Sequence, residues 1–172
     1  MSIQLARRSY DILTLGLDPN AATTGVWTTQ LSSNLLSLHK AAAATTSVVT
    51  IPIPRSPRLP SLAIGPFLQV AVIEVFYKVT TANLTSAPTA VLNRQTAPGG
   101  LGTGTVARLA INQTLTFAGL DTIGTIQGDH IAVITPSPLP ILDDYDSMYV
   151  TLTMNEAATS VLDIFGITVT YQ

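Results

Sequence analysis

The sequence predicts an all-β protein: an antiparallel β-sandwich or jelly roll of about eight strands, with an extended N-terminal arm. Two observations predict this fold class. Apolar and polar side chains alternate with a period of two along many short segments, and clusters of glycine, proline, asparagine or aspartate separate those segments. A chain of 172 residues has the size of a single domain, and strands in series without alternating helices are typical of sandwiches and jelly rolls.

The N-terminal region, residues 1–60, is richer in threonine, alanine and serine than the rest of the chain. It ends in the proline-rich run Ile51–Pro60, which favours an extended backbone. We therefore interpret 1–60 as an arm and Pro-rich spacer that could contribute the strand Thr46–Ile53, and 61–172 as the jelly-roll domain. Within the arm, Gln30–Ala44 is the one helix candidate, although its serine and asparagine content disfavours a helix.

The first strand of the predicted domain is Phe67–Thr81, which has one largely apolar face. Its opposite face carries Val70, Val72 and Phe76 among charged residues, although a strand at the surface of a monomer usually alternates cleanly with polar side chains. We expect these three side chains to be covered by a partner subunit or by the arm. Trp27 in the arm is either an aromatic anchor for a neighbouring subunit or a core residue.

Further strands are predicted downstream, where turn-forming residues again separate short segments rich in β-branched side chains. The clearest alternation lies in Ser147–Asn155 and in Val161–Tyr171, where Asp163 interrupts an otherwise apolar row. The other predicted strands are Thr89–Gln95, Thr105–Phe117, Thr122–Gln127 and Asp129–Thr135.

The glycine-rich stretch Ala97–Arg108, APGGLGTGTVAR, lies between two of these segments. Gly99 and Gly104 have the separation of the two glycines of a Walker phosphate-binding loop, but Thr105 stands where that loop requires a lysine. Neither the glycine spacing nor the following segment fits a dinucleotide-binding turn. We interpret the stretch as a flexible connection between strands.

The low charge of the chain argues against several kinds of partner. Charged residues make up 10% of the sequence and the formal net charge is -2, so no basic surface for nucleic acid or an anionic membrane is expected. The absence of cysteine excludes disulfides and cysteine-bound zinc. We recognise no signal-peptide pattern and no apolar run of membrane-spanning length, so neither secretion by a cleaved signal nor membrane insertion is expected.

Residues suited to catalysis are scarce, and the chain is predicted not to be an enzyme and to carry no cofactor. The histidines are His39 and His130, and the G-x-S-x-G nucleophile motif does not occur. We expect His130 to cap a turn or to lie at an interface. The acidic cluster Asp143, Asp144 and Asp146 could bind a structural calcium ion through carboxylate oxygens, the alternative being a solvated loop.

Three runs within residues 64–172 resemble the jelly-roll virion proteins of tailed phages and similar viruses, such as capsid decoration proteins and head-fibre modules. They are VAVIEVFYKVTTANLTSAPTAVLNRQ, GDHIAVITP and SMYVTLTMNEAATSVLDIFGITVTY. The resemblance implies a homotrimer whose N-terminal arm reaches a neighbouring capsid subunit, and a location in the virion. The arm has few basic residues, unlike that of RNA-packaging coat proteins, so RNA packaging is not expected.

The predicted function is structural: a trimeric subunit that decorates and stabilises a capsid, bound to the major capsid protein or another virion subunit through apolar sheet surface and the arm. The predicted interface residues are Trp27, Val70, Val72 and Phe76. The alternative is a glycan- or receptor-binding fibre or spike module, which would use Tyr145, Tyr149 and the Asp143–Asp146 loop.

Overall fold

The structure, a computed structural model, describes residues 6–11, 27–32, 34–54, 69–96, 108–113, 115–118, 125–137, 139 and 146–172. These residues form eleven β-strands in two antiparallel sheets. No helix able to cross a membrane occurs within these ranges. The strands are β1 (Ala6–Asp11), β2 (Trp27–Ser32), β3 (Leu35–Lys40), β4 (Thr46–Ile53), β5 (Val70–Thr80), β6 (Leu84–Thr96), β7 (Arg108–Gln113), β8 (Leu115–Ala118), β9 (Gly128–Ile134), β10 (Asp146–Glu156) and β11 (Val161–Tyr171).

Strands of the two sheets alternate along much of the chain. One has seven strands in the order β2-β3-β11-β5-β9-β8, with β1 also paired to β11, and the other has four in the order β4-β10-β6-β7. Strands β3 to β7 and β9 to β11 are divided between the two sheets and connected as two interlocked Greek keys, which is the connectivity of a jelly roll. The predicted fold class is therefore confirmed, with β1, β2 and β8 as additions to the larger sheet.

Inward-facing side chains of both sheets form one apolar core. The longest runs of core residues are Val70, Ile73, Val75, Tyr77 and Val79 on β5, Met148, Val150, Leu152 and Met154 on β10, and Leu162, Ile164, Ile167, Val169 and Tyr171 on β11. Burial raises the pKa of the Tyr77 and Tyr171 phenols, so both stay protonated. The Tyr171 hydroxyl donates to the carbonyl oxygen of Pro54 at 2.7 Å, which ties the end of β11 to the residue that follows β4.

A buried ion pair joins the two sheets. Lys40, the last residue of β3, places its Nζ 2.7 Å from Oε2 of Glu156, the last residue of β10, and both side chains are almost fully buried. Ser47 Oγ donates to the other carboxylate oxygen of Glu156. Trp27 pairs with Lys40 across the β2–β3 ladder, and its Nε1 has no hydrogen-bond partner within the described ranges. Because a buried charge needs a partner, Lys40 and Glu156 compensate each other between the two sheets.

A β-bulge in β11 reverses which of its side chains face outward. Ile164 pairs with Tyr77 and Gly166 pairs with Phe76, so Phe165 is the extra residue on β11 between adjacent positions of β5. The odd-numbered residues of β11 before this bulge therefore face outward, whereas those after it face the core.

Gly166 lies directly against the first strand. β1 pairs with β11 along its whole length, and Asp11 stands opposite Gly166. The φ of Gly166 is 155°, and a Cβ at this position would collide with the carbonyl oxygen of Tyr10. The absence of a side chain at residue 166 is therefore what lets β1 lie along this part of β11.

The predicted helix Gln30–Ala44 is wrong, because most of this segment belongs to the antiparallel hairpin of β2 and β3. Asn34, just before β3, has a φ of 65°, the left-handed conformation that asparagine tolerates in tight hairpin turns. Successive side chains of β3 instead alternate between the two faces of the sheet.

The predicted arm supplies four strands, β1 to β4, to the two sheets. The division of the chain at residue 60 stays a prediction. The segment Thr105–Phe117 contains two strands in different sheets, β7 and β8, rather than one. Residues 125–127 of the predicted strand Thr122–Gln127 are not in a strand, and 97–107 of the glycine-rich stretch lie outside the described residues, between β6 and β7.

Candidate functional site

A row of polar side chains crosses the outer face of the seven-stranded sheet. Thr28 on β2 pairs with His39 on β3, which pairs with Asp163 on β11. Asp163 in turn pairs with Lys78 on β5, and Lys78 pairs with Asp129 on β9. Neighbouring strands in a sheet lie about 4.8 Å apart, so each side chain of the row is within reach of the next.

Asp163 organises the centre of this row. Its Oδ1 accepts a hydrogen bond from Ser37 Oγ at 2.8 Å and lies 2.9 Å from His39 Nδ1. An ionised carboxylate can only accept, so Nδ1 of His39 carries the proton in this contact. Nε2 of a neutral His39 is then an acceptor, and it has no hydrogen-bond partner in the part of the chain that the structure describes.

The same three residues do not form a catalytic triad. In a Ser-His-Asp triad, the serine hydroxyl bonds to the histidine and the histidine bonds to the aspartate. Here Ser37 donates to the same Asp163 oxygen that His39 contacts, so the histidine does not receive the serine proton. The arrangement fixes the orientation of two polar side chains instead of activating a nucleophile.

An open groove of about 310 Å³ lies over this part of the sheet and spans β2, β3, β11 and β5. Its lining is mostly polar and includes three apolar side chains. The lining residues are Gln30, Ser32, Leu35, Ser37, His39, Lys78, Thr80, Val161, Asp163 and Phe165.

The apolar part of the groove comes from two features of the fold. The bulge in β11 places the Phe165 ring on the outer face, next to Asp163 along the strand. Leu35, at the start of β3, is 59% exposed and also lines the groove. An aromatic ring and an aliphatic side chain therefore stand among the fixed polar groups, a combination typical of small-molecule and sugar sites.

Lys78 provides the positive charge of the groove lining. Its Nζ lies 3.6 Å from Oδ1 of Asp129, whose side chain is 79% exposed. An exposed pair at this distance contributes little stability, so the ammonium group can turn toward a ligand at small cost.

Of the predicted interface residues, Trp27 and Val70 lie in the core. Trp27 is 3% exposed, which agrees with the core interpretation rather than with an exposed anchor. The outer-face assignment of Val70 is wrong, because a second register irregularity between Thr170 and Tyr171 turns Val70 inward. Val72, like Phe76 further along β5, is half-buried on the outer face, outside the groove lining. The interface role of these residues stays a prediction.

Most of the predicted metal and ligand loop falls outside the described residues. Asp143, Asp144 and Tyr145 lie outside the described ranges. Asp146 is the first residue of β10, but only its backbone is described. Tyr149 pairs with Pro52 and Asn93 in the four-stranded sheet, on the opposite side of the sandwich from the groove. Within the described ranges, histidine and acidic side chains form no cluster that could hold a metal ion.

His130 has a structural position. It is buried, its Nε2 lies 2.8 Å from the carbonyl oxygen of Ile126 in the turn before β9, and its ring stacks on Tyr77 with centroids 5.1 Å apart. This is the contact expected of a residue that caps a turn.

The groove residues were missed at the level of sequence. Gln30, Ser37 and His39 belong to the segment that was interpreted as a helix, where His39 would lie on the opposite face from Gln30. Asp163 was noticed only as an interruption of an apolar row. A period of two in Leu35, Ser37 and His39 against Leu36, Leu38 and Lys40 was the available signal for β3.

No protein-family model matches the chain, and no curated protein matches it by sequence. Among solved structures, the chain is similar to a low-affinity xylan binding module, CBM86, from the gut symbiont Roseburia intestinalis. The match has 13% sequence identity and a TM-score of 0.36, and it covers 97% of this chain and 95% of that chain. The predicted resemblance to virion proteins and the predicted role in capsid decoration are corrected by this comparison, in which the matched solved structure is described as a xylan binding module.

Proposed function

We propose that this protein is a glycan-binding module and that the groove over β2, β3, β11 and β5 is its binding site. The observation that carries the proposal is the groove itself, in which hydrogen-bonded polar side chains and the Phe165 ring line the same sheet face. Glycan binding was the alternative interpretation of the sequence. Of the residues named for it there, Tyr149 lies in the other sheet, and Asp143, Asp144 and Tyr145 fall outside the described residues.

Sugars require two kinds of contact at once. Their hydroxyl groups donate and accept hydrogen bonds, and the C–H faces of their rings pack against apolar surface. The groove offers Gln30 and His39 for the first kind of contact, and Phe165 and Leu35 for the second.

Two polar side chains of the groove lining, Ser37 and His39, are ordered before any ligand arrives. Ser37 is 2% exposed and its hydroxyl is held by Asp163, as is the imidazole of His39. A ligand therefore does not have to order these side chains, which lowers the entropic cost of binding. Phe165 is placed by the backbone of the bulge and not by a loop.

The size and charge of the groove suit a short stretch of glycan. A volume of about 310 Å³ is at the small end of the range of about 300–1,000 Å³ found for ligand sites. The lining holds one carboxylate, Asp163, and one ammonium group, Lys78, so neither charge dominates when His39 is neutral. Such a site favours ligands with many hydroxyl groups over nucleic acid or a strongly charged peptide.

The proposal is tested by measuring binding to a panel of polysaccharides that includes xylan, cellulose, mannan, galactan and polygalacturonate. Retardation in affinity gels identifies ligands, and titration calorimetry on soluble oligosaccharides gives affinities. We expect at least one glycan to bind, and Phe165→Ala to weaken that binding about tenfold or more, because the apolar contact is lost.

Phe76→Ala is the matched control, since Phe76 is on the same face but does not line the groove. Circular dichroism of each variant checks that the sheet is intact. If no glycan of the panel binds the folded wild-type protein, or if Phe165→Ala and Phe76→Ala bind alike, the groove is not a glycan site.

A further inference from the structure

We propose that the groove binds acidic glycans through the carboxylate of a sugar acid, and that protonation of His39 strengthens this binding. The ligand class is an oligosaccharide that contains uronic acid, and the two cationic contacts are His39 and Lys78. This inference rests on the proposed function, because it concerns the same groove.

The first step of the argument is the geometry of His39. Its Nδ1 is engaged by Oδ1 of Asp163 at 2.9 Å, and the side chain is 22% exposed. Nε2, on the other side of the ring, accepts hydrogen bonds while the imidazole is neutral and donates one when it is protonated. The edge of the ring that is free for a ligand therefore changes from acceptor to donor on protonation, while Asp163 holds the ring in place.

The second step is the set of charges around His39. Asp163 faces it from β11, and Lys78 on β5 is the next charged position of the row. The partner strand β2 has no titratable side chain, and Lys40 on β3 itself faces the core. Asp129, on β9, lies at the far side of Lys78 and points largely into solvent.

The third step is the charge balance of the groove lining. With His39 neutral, Lys78 and Asp163 cancel, and with His39 protonated the lining carries one net positive charge. The negative charge of Asp163 is also engaged, because its Oδ1 already has two partners. The lining is therefore cationic only when His39 is protonated.

The last step is the difference between a hydroxyl and a carboxylate as ligand groups. A sugar hydroxyl can donate to a neutral His39 or accept from a protonated one, so neutral glycans gain little from protonation. A carboxylate can only accept, and the lone pair of a neutral Nε2 repels it. Protonation of His39 therefore separates the two ligand classes.

The experiment uses the full chain and two matched probes: an oligomer of galacturonic acid, and the same oligomer with its carboxyl groups reduced to alcohols. Titration calorimetry is run at about pH 5 and about pH 8. The sugar carboxylates are ionised at both values. We expect the acidic oligomer to bind about tenfold tighter at the lower pH, because a charge-assisted hydrogen bond is gained, and the reduced oligomer to change less than about twofold.

Two variants locate the effect. His39→Gln retains a polar side chain that does not titrate, and it is expected to abolish the pH difference for the acidic oligomer. Lys78→Gln is expected to weaken acidic binding at both pH values while the pH difference persists. The wild-type comparison of the two probes stands even if a variant is poorly folded.

The outcomes separate this inference from the proposed function. If neutral glycans bind in the groove and the acidic oligomer shows no advantage at the lower pH, the preference for acidic glycans is refuted while glycan binding stands. If neither acidic nor neutral glycans bind at either pH, glycan binding itself fails, and this inference fails with it.

Discussion

Lys40 and Glu156 face each other across the two sheets, with Nζ and Oε2 2.7 Å apart and both side chains almost fully buried. The pair is the one charged contact described between the inner faces of the sheets within the described ranges. Removal of one partner of a buried ion pair lowers stability strongly, because an uncompensated charge remains in the core. Replacement of both partners by apolar side chains lowers stability much less.

The first prediction follows from this pair. Glu156→Leu is expected to lower the free energy of unfolding by about 3–5 kcal/mol, since Lys40 loses its partner. The double variant Lys40→Met with Glu156→Leu is expected to recover most of that loss, because no charge remains buried. Urea denaturation followed by tryptophan fluorescence measures both. Equal losses in the single and double variants would contradict the account given for this pair.

The second prediction concerns Gly166. Gly166→Ala is expected to destabilise the protein by about 1–3 kcal/mol, because alanine must adopt an unfavourable φ and its Cβ collides with the carbonyl oxygen of Tyr10. Hydrogen exchange should show the earliest loss of protection in the β1 amides. Thr170→Ala, on the same strand, is the control and should leave β1 protected. Unchanged β1 exchange in Gly166→Ala would count against the close approach.

The third prediction tests Asp163 as the organiser of the groove. Asp163→Ala is expected to weaken glycan binding about tenfold, because Ser37 and His39 lose the acceptor that orients them. Asp163→Asn keeps one acceptor oxygen and is expected to lie between the alanine variant and the wild type. Calorimetric titration with the best ligand of the panel measures the series. An alanine variant that binds like the wild type would show that the preordering is unimportant.

The fourth prediction concerns the buried Tyr171 hydroxyl. Tyr171→Phe is expected to cost about 1–3 kcal/mol of stability, because the carbonyl oxygen of Pro54 loses its donor in a largely buried position. Tyr149→Phe on the outer face of β10 is the matched control and should change stability by less than about 0.5 kcal/mol. Thermal unfolding of the two variants in parallel gives the comparison.

The strands with one buried face were predictable from the sequence. β4 and β11 have the predicted bounds, Thr46–Ile53 and Val161–Tyr171, and their alternation of apolar and polar side chains marks them directly as strands in the sequence. The jelly-roll class followed from the number and spacing of such segments. The order of the strands came only from the structure, because pairing between distant segments has no local signal.

The groove was not predictable for two physical reasons. Its lining comes from segments distant in sequence, around residues 30–39, 78–80 and 161–165, which only the sheet order brings together. The bulge at Phe165 also changes which face Asp163 occupies, and a bulge depends on the partner strand β5 as well as on β11. Asp163 was visible as an exception in an apolar row, but its role depends on β3, which was interpreted as a helix.

The position of β11 in the larger sheet has a consequence for how the protein folds during synthesis. β11 is the final strand in the described order, yet it lies between β5 on one edge and β3 and β1 on the other. Strands β1, β3 and β5 leave the ribosome long before the strand that joins them. Until residues 161–171 emerge, the edges of β1, β3 and β5 that face β11 stay unpaired and can pair with other chains. The nascent protein therefore completes its larger sheet late and through contacts between distant segments, which is a slow step in β-rich topologies.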